Sequence, residues 1–318
     1  MITTNEMITE DIFPAKVTFG EKINQTQFTE WYLANKSEMD RLILKNGAIL
    51  FEGVEIQQVE TFDDIVTSLY DKTWDYVDGF SPRTKLSGNV YTSTEYDADF
   101  HITLHNELSY STKWPDRLIF SCLIPSATGG ETPLADCRKI LTAIDQELLA
   151  EMKAKGVRYV RNLHGGEGAG PSWQQTFESE DKSFVEKFCE EGNIEYHWKS
   201  DGGIKLVQNK PATIMHPLSG EEVWFNQVDQ FHPSHLSEEI YEALMFMYDS
   251  EEDLPMFGSF GDGTALTKDH IKEIHRAIDE VAVARKWNQG DLVMVDNVMV
   301  CHGRKPYTGE RKILVSMV

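Results

Sequence analysis

Two side chains in the stretch Leu104-His105-Asn106-Glu107-Leu108 have the types and spacing to hold a metal. In an extended strand successive side chains alternate faces, so His105 and Glu107 point the same way. An imidazole and a carboxylate on one face can fill two adjacent coordination positions. A third ligand must come from elsewhere, and His302, in Val300-Cys301-His302-Gly303-Arg304, is the best candidate. Two His and one carboxylate form the facial triad that holds non-heme Fe(II) and leaves positions open for substrate and O2. The same set also suits hydrolytic zinc chemistry.

An iron oxygenase must also deliver electrons to O2. A 2-oxo acid that chelates the iron is a common solution, and its far carboxylate then needs a fixed cation. Arginine suits that two-pronged contact, and a nearby hydroxyl adds a hydrogen bond. Arg311, at the start of a last strand, and Thr132, expected in a short strand of its own, are the candidates. A zinc hydrolase would leave both without a role. Candidates to face a substrate are Arg304, on the face of His302, the polar pair Asn226 and Gln227, Asn89 in a long polar loop with Tyr91 and Ser93, and His164 beside a glycine-rich run. His101 and Asp99 read as supporting residues, not ligands. His270 and His275 read as surface, and Trp224 as core.

The elements that must position these groups are short. Helices are expected over 28–46, 62–74, 137–155, 181–191, 234–249 and 267–286. Asp136 is a good N-cap for the third, and Gly156 ends it. Strands are expected at 48–51, 102–110, 118–124, 157–160, 194–198, 204–207, 213–216, 222–225, 292–295, 298–302 and 312–318. Residues 1–16 read as an irregular lead-in, and 162–182, carrying Gly165, Gly166, Gly168 and Gly170, as an active-site flap. Many short strands with inserted helices predict a mainly β (α+β) jelly roll. A doubly wound parallel sheet would alternate strand and helix regularly. The whole chain, 1–318, is expected to form one domain, with 1–80 as a helix-strand-helix lead-in.

Bulk properties narrow the class. With 30 basic and 52 acidic residues the net charge is −22, which disfavours nucleic acid as a partner. No apolar run is long enough to span a membrane, and the first residues lack the pattern of a secretory signal. The four cysteines, Cys122, Cys137, Cys189 and Cys301, form no C-x-x-C pair. Reduced thiols in a cytoplasmic protein are the expectation.

Taken in order, His105-x-Glu107, Thr128-Gly-Gly-Glu-Thr-Pro-Leu-Ala-Asp136, Tyr159-Val-Arg-Asn162, Val223-Trp-Phe-Asn-Gln227, Phe231-His232, Gly261-Asp-Gly263 and Asp296-Asn297 with His302-Gly-Arg304 and Arg311 resemble one family. It is the taurine dioxygenase (TauD/TfdA-like) family of Fe(II)/2-oxoglutarate oxygenases, in a branch similar to SyrP, a syringomycin-pathway hydroxylase. The resemblance runs from about residue 85 onward. It implies a double-stranded β-helix with iron at its mouth. It implies Fe(II) on His105, Glu107 and His302, 2-oxoglutarate as cosubstrate with its distal carboxylate on Thr132 and Arg311, and O2 as oxidant. The implied reaction is hydroxylation of an unactivated C–H in an amino acid or a derivative, free or tethered to an acyl or peptidyl carrier protein. The same cofactors also support desaturation or cyclisation. Glu107 stands where many members carry Asp. A carboxylate there argues against a halogenase, which puts a small residue at that position.

Overall fold

A computed structural model describes the chain apart from residues 1–4, 75–77, 80–82, 89, 94 and 95. Its frame is an eight-stranded sheet in the order Glu6–Thr9, Ala15–Ile23, Ala48–Val54, Leu292–Asp296, Arg117–Ile124, Lys312–Met317, Val90–Thr92, Lys85–Ser87. Pairing within it is antiparallel except between Ala15–Ile23 and Ala48–Val54. A three-stranded sheet, Ile102–His105, Val300–Arg304 and Leu134–Asp136, lies against one of its faces.

The strand Arg117–Ile124 shows why the frame has two cores. Side chains alternate across it. Leu118, Phe120 and Cys122 pack with Leu134, Met299 and Val300 of the smaller sheet, forming the interior of the jelly roll. Ile119 and Leu123 face the other way, onto a core with Phe28, Trp31, Phe62 and Ile65 from the first helices. Both faces are buried, so the strand reads as one apolar run instead of an alternating pattern. A third core covers the far side of the small sheet with the helices of 137–155 and Lys268–Val281.

Several local expectations are corrected. The expected helix 28–46 is two helices, Gln25–Ala34 and Lys36–Asn46, broken at Asn35, and 137–155 is also split, into Cys137–Ala143 and Gln146–Lys155. There Asp145 caps the second piece through Glu147 and Leu148 N–H, an N-cap hidden inside a run of helix formers. Within the irregular lead-in expected over 1–16, Glu6–Thr9 instead forms a strand that pairs with Ala15–Ile23 at the sheet edge. Thr132 lies in coil ahead of the strand Leu134–Asp136, not in a strand of its own. In the expected flap, residues 162 and 163 end the strand Val157–Leu163, and Trp173–Phe177 is a helix seated on a small core with Val185 and Leu206. Asp136 caps its helix as expected, accepting from Arg138 N–H.

Candidate metal and cosubstrate site

His105 ends the strand Ile102–His105, and Glu107 follows in the turn after it. His302 sits in the neighbouring strand, directly paired with His105. The pairing tolerates close approach because Gly303 has no side chain; a Cβ there would lie 2.5 Å from the Ile102 carbonyl oxygen. Ligand atoms of His105, Glu107 and His302 all lie within 4.8 Å of one another, and all three residues are buried. Among the described residues no other His, Cys, Asp or Glu cluster of this kind occurs.

Each group is aimed by a neighbour. The Nδ1 of His105 is 2.9 Å from the Thr103 carbonyl oxygen; with the proton there, Nε2 is left as a lone-pair donor. Asn297, fully buried, grips the backbone beside Glu107. Its Oδ1 accepts from the Glu107 N–H at 2.7 Å, and its Nδ2 donates to the Glu107 carbonyl at 3.0 Å and the Pro115 carbonyl at 2.9 Å. Asn106 returns a bond to the Asn297 carbonyl at 2.6 Å. The grip holds Leu108 at φ 57°, a left-handed conformation unusual for leucine. Asp296 in turn accepts from the N–H groups of Val298 and Met299, which fixes the turn into the His302 strand.

The electrostatics suit a cation. Burial, with His105 and Arg83 nearby, holds the His302 imidazole well below its usual pKa, so it is neutral and able to ligate. Its Nδ1 is buried with no hydrogen-bond partner among the described residues. Glu107 is paired with Arg83, and both side chains are 4% exposed. Two imidazoles and one carboxylate, shielded from water, form a donor set that fits Fe(II).

Next to the triad lies a cavity of about 360 Å³, lined by His105, His302, Arg83, Arg311, Thr132 and Ser93 among others. Arg311 donates to the Gly130 carbonyl at 2.9 Å, Ser93 Oγ at 3.1 Å and Thr132 Oγ1 at 3.4 Å. These acceptors are all neutral, and no acid pairs with Arg311 among the described residues. Burial, then the nearby Arg304, push its guanidinium down to about 10, still cationic at neutral pH. A buried cation facing a cavity without an acid partner fits a carboxylate ligand. Gly130 has φ 70°, and a Cβ on it would meet Arg311 Cδ at 3.0 Å, so the glycine makes room for that side chain.

A second cavity, of about 550 Å³, reaches the triad from the other side and shares Ile102 and His105 with the first. Tyr96, Phe100, Tyr110 and Phe231 form aromatic walls, and Gln227 and Gln230 a polar one. A hydrogen-bond chain runs from Ser109 to Gln227 at 2.9 Å, to Gln230 at 3.1 Å and on to the Thr103 carbonyl at 3.0 Å, the same carbonyl that orients His105.

The other sequence candidates fall in different places. Gln227 lines the second cavity, whereas the Asn226 carboxamide is turned into the chain, donating to Ala212 O and accepting from Val228 N–H. Arg304 lines the first cavity but is bonded to the carbonyls of Tyr96, Asp97 and Phe100, holding that segment in place. His164 braces its glycine-rich loop through Gly166 and Gly170 and lines neither cavity. Asn89 lies outside the described residues. His275, read as surface, is bonded to the buried Asp229 at 3.0 Å. Arg83, Asn297, Trp287 and Gln230 were not singled out by sequence. For Asn297 a signal existed, since an Asp-Asn pair ahead of a ligand strand marks a turn that needs side-chain bonds.

Comparison with known proteins identifies the family. The profile of the taurine catabolism dioxygenase TauD, TfdA family matches residues 11–317, so the similarity begins well before residue 85. The dapdiamide synthesis protein DdaC of Enterobacter agglomerans is 35% identical over 280 residues, covering 88% of this chain and 84% of that protein. A clavaminate synthase-like protein of Arabidopsis thaliana is 30% identical over 300 residues, covering 91% and 87%. The fold is shared with PvcB of Pseudomonas aeruginosa, at a TM-score of 0.55 and 13% identity over 100% of this chain and 92% of that one. It is also shared with AAD-2, solved with Mn(II) and N-oxalylglycine, at a TM-score of 0.52 and 14% identity over 99% and 97%. The chain belongs to the TauD/TfdA family and is a non-heme Fe(II)/2-oxoglutarate-dependent dioxygenase with the mixed α/β jelly-roll fold of that family.

Proposed function

We propose that this dioxygenase hydroxylates an unactivated C–H bond of an amino acid or amino-acid derivative in the synthesis of a specialised metabolite. The observation that carries the reading is the meeting of two cavities at His105, one ending on a largely buried arginine that has no acid partner among the described residues and the other walled by aromatic rings and carboxamides. His105, Glu107 and His302 would hold Fe(II). Thr132 and Arg311 would hold the distal carboxylate of 2-oxoglutarate. When bound, iron, 2-oxoglutarate and O2 together supply the oxidising power that breaks the C–H bond.

The chain's own residues position and shield. Arg311 and Thr132 fix one end of the cosubstrate, so its keto acid end points at the triad. Gln227 and Gln230 present amide donors and acceptors to a polar substrate group, and the rings of Phe231 and Tyr110 exclude water beside the triad. The similarity to a dapdiamide synthesis protein supports an amino-acid-derived substrate, free or tethered to a carrier protein. Arg304 and His164 then act by bracing loops. No helix among the described residues is long and apolar enough to cross a membrane, and the four cysteines are free and buried, which supports a cytoplasmic location.

The test is release of succinate from 2-oxoglutarate by the purified protein. It should require Fe(II), be raised by substrate, and be lost in His105→Ala. Activity with Zn(II) and none with Fe(II) would overturn the reading in favour of a hydrolase.

A further inference from the structure

The carboxylate expected to bind the metal is already engaged. Glu107 Oε2, 3.8 Å from His302 Nε2, is the same oxygen that takes the hydrogen bond from Arg83 Nη2. A buried carboxylate needs a compensating charge, and in this chain Arg83 supplies it. A divalent cation among the three ligands would claim that carboxylate and bring positive charge beside the guanidinium.

The ligands themselves have little freedom to adjust. The backbone of Glu107 is clamped by Asn297, so its side chain starts from a fixed point, and the His105 ring is tied to the Thr103 carbonyl. Arg83 is a long side chain that lines the open first cavity, the one that ends at Arg311. It is therefore the group able to give way, and the space beside it is where a 2-oxo acid dianion would lie.

We propose that Arg83 couples loading of the metal to binding of the cosubstrate. With no cation present it neutralises Glu107 and opposes entry of a divalent ion. When the ion binds, it turns into the cavity and adds a second positive charge for the incoming dianion. Metal and cosubstrate then each strengthen the other's binding, a reciprocal coupling between adjoining sites. The cosubstrate half of the proposal rests on the function proposed above, and the metal half does not.

Titration calorimetry with Mn(II) alone, then with N-oxalylglycine added to the Mn(II)-loaded protein, tests both halves. In Arg83→Met, Mn(II) alone should bind about 10-fold tighter, because a nearby positive charge is gone. N-oxalylglycine should bind the loaded variant about 10-fold more weakly than it binds the loaded parent. Arg83→Lys keeps the charge and should stay close to the parent in both titrations. Unchanged or weaker Mn(II) binding in Arg83→Met overturns the proposal, and so does an Arg83→Lys variant that tightens as the methionine variant does. His105→Ala separates the two levels: if it still binds Mn(II) as the parent does, the metal centre is misassigned, whatever Arg83 does.

Discussion

Asn297 carries more of the site than any ligand does, and its removal has a calculable cost. Asn297→Ala deletes the bonds to Glu107 N–H, Glu107 C=O and Pro115 C=O, all inside a fully buried environment. A buried polar group left without its partner costs about 1–2 kcal/mol, so three of them amount to about 3–6 kcal/mol. For a chain of this size that is roughly a 4–9 °C loss in Tm. Leu108 would also be released from its left-handed conformation, which sets the direction in which Glu107 leaves the strand. Metal affinity should therefore fall by about 10- to 100-fold, as it does when groups that orient ligands are removed. Asn297→Asp is the sharper variant. Its Oδ1 can keep the Glu107 N–H, but the other oxygen would face two carbonyl oxygens where the amide now donates, so it should be no better than alanine at neutral pH. Differential scanning calorimetry and Mn(II) titration read both effects. A Tm within about 1 °C of the parent together with unchanged Mn(II) affinity would refute the reasoning.

Further expectations follow from other contacts. Trp287 Nε1–H donates to Thr132 Oγ1 at 3.0 Å, which turns the threonine's own proton toward the cavity; Trp287→Phe should raise KM for 2-oxoglutarate about 5-fold with little change in kcat, and the effect should vanish in a Thr132→Val background. Arg311→Met should weaken N-oxalylglycine binding by about 10- to 100-fold while leaving Mn(II) binding intact, since one charge-assisted anchor is worth about 1.5–3 kcal/mol. Gln230→Leu should leave substrate-independent succinate formation unchanged and reduce its stimulation by substrate, measured in the same assay. Glu252 is held at about 2, against 4.5 for a free glutamate, chiefly by hydrogen bonds from Arg158 and Lys205. Because its folded pKa is depressed, its contribution is complete above pH 4.5 and is lost as pH falls toward about 2. Acid unfolding of Glu252→Gln, followed by circular dichroism, should be flatter across that window; an identical profile would remove the pair from the account.

The candidate triad was legible in the sequence because His105 and Glu107 stand two residues apart and His302 lies in a recognisable His-Gly-Arg run, but the strand expected over 102–110 ends at His105, so Glu107 reaches the site from a turn and not by strand alternation. Arg311 and Thr132 were legible through the same kind of argument, a carboxylate needing a cation and a hydroxyl. What the sequence hid depends on long-range proximity. Arg83 is an isolated arginine in a polar stretch, and nothing around it announces that it meets Glu107. Trp287 looks like one more apolar residue until its indole is found on Thr132. The breaks at Asn35 and Ile144 escaped for another reason. The flanking residues are all acceptable in helices, so tertiary packing, not propensity, decides where each turn ends. Asn226 and Gln227, adjacent in sequence, divide their labour because one faces the backbone of 212 and the other the cavity.

The shared wall at Ile102 and His105 also bears on traffic through the enzyme. Each organic molecule would have its own cavity, with only the wall at Ile102 and His105 in common. Under the proposed function, a diacid product held at Arg311 and a substrate seated against Gln230 would occupy separate spaces, so either would exchange while the other stays. Succinate should therefore compete with 2-oxoglutarate alone and show a mixed pattern against the other substrate.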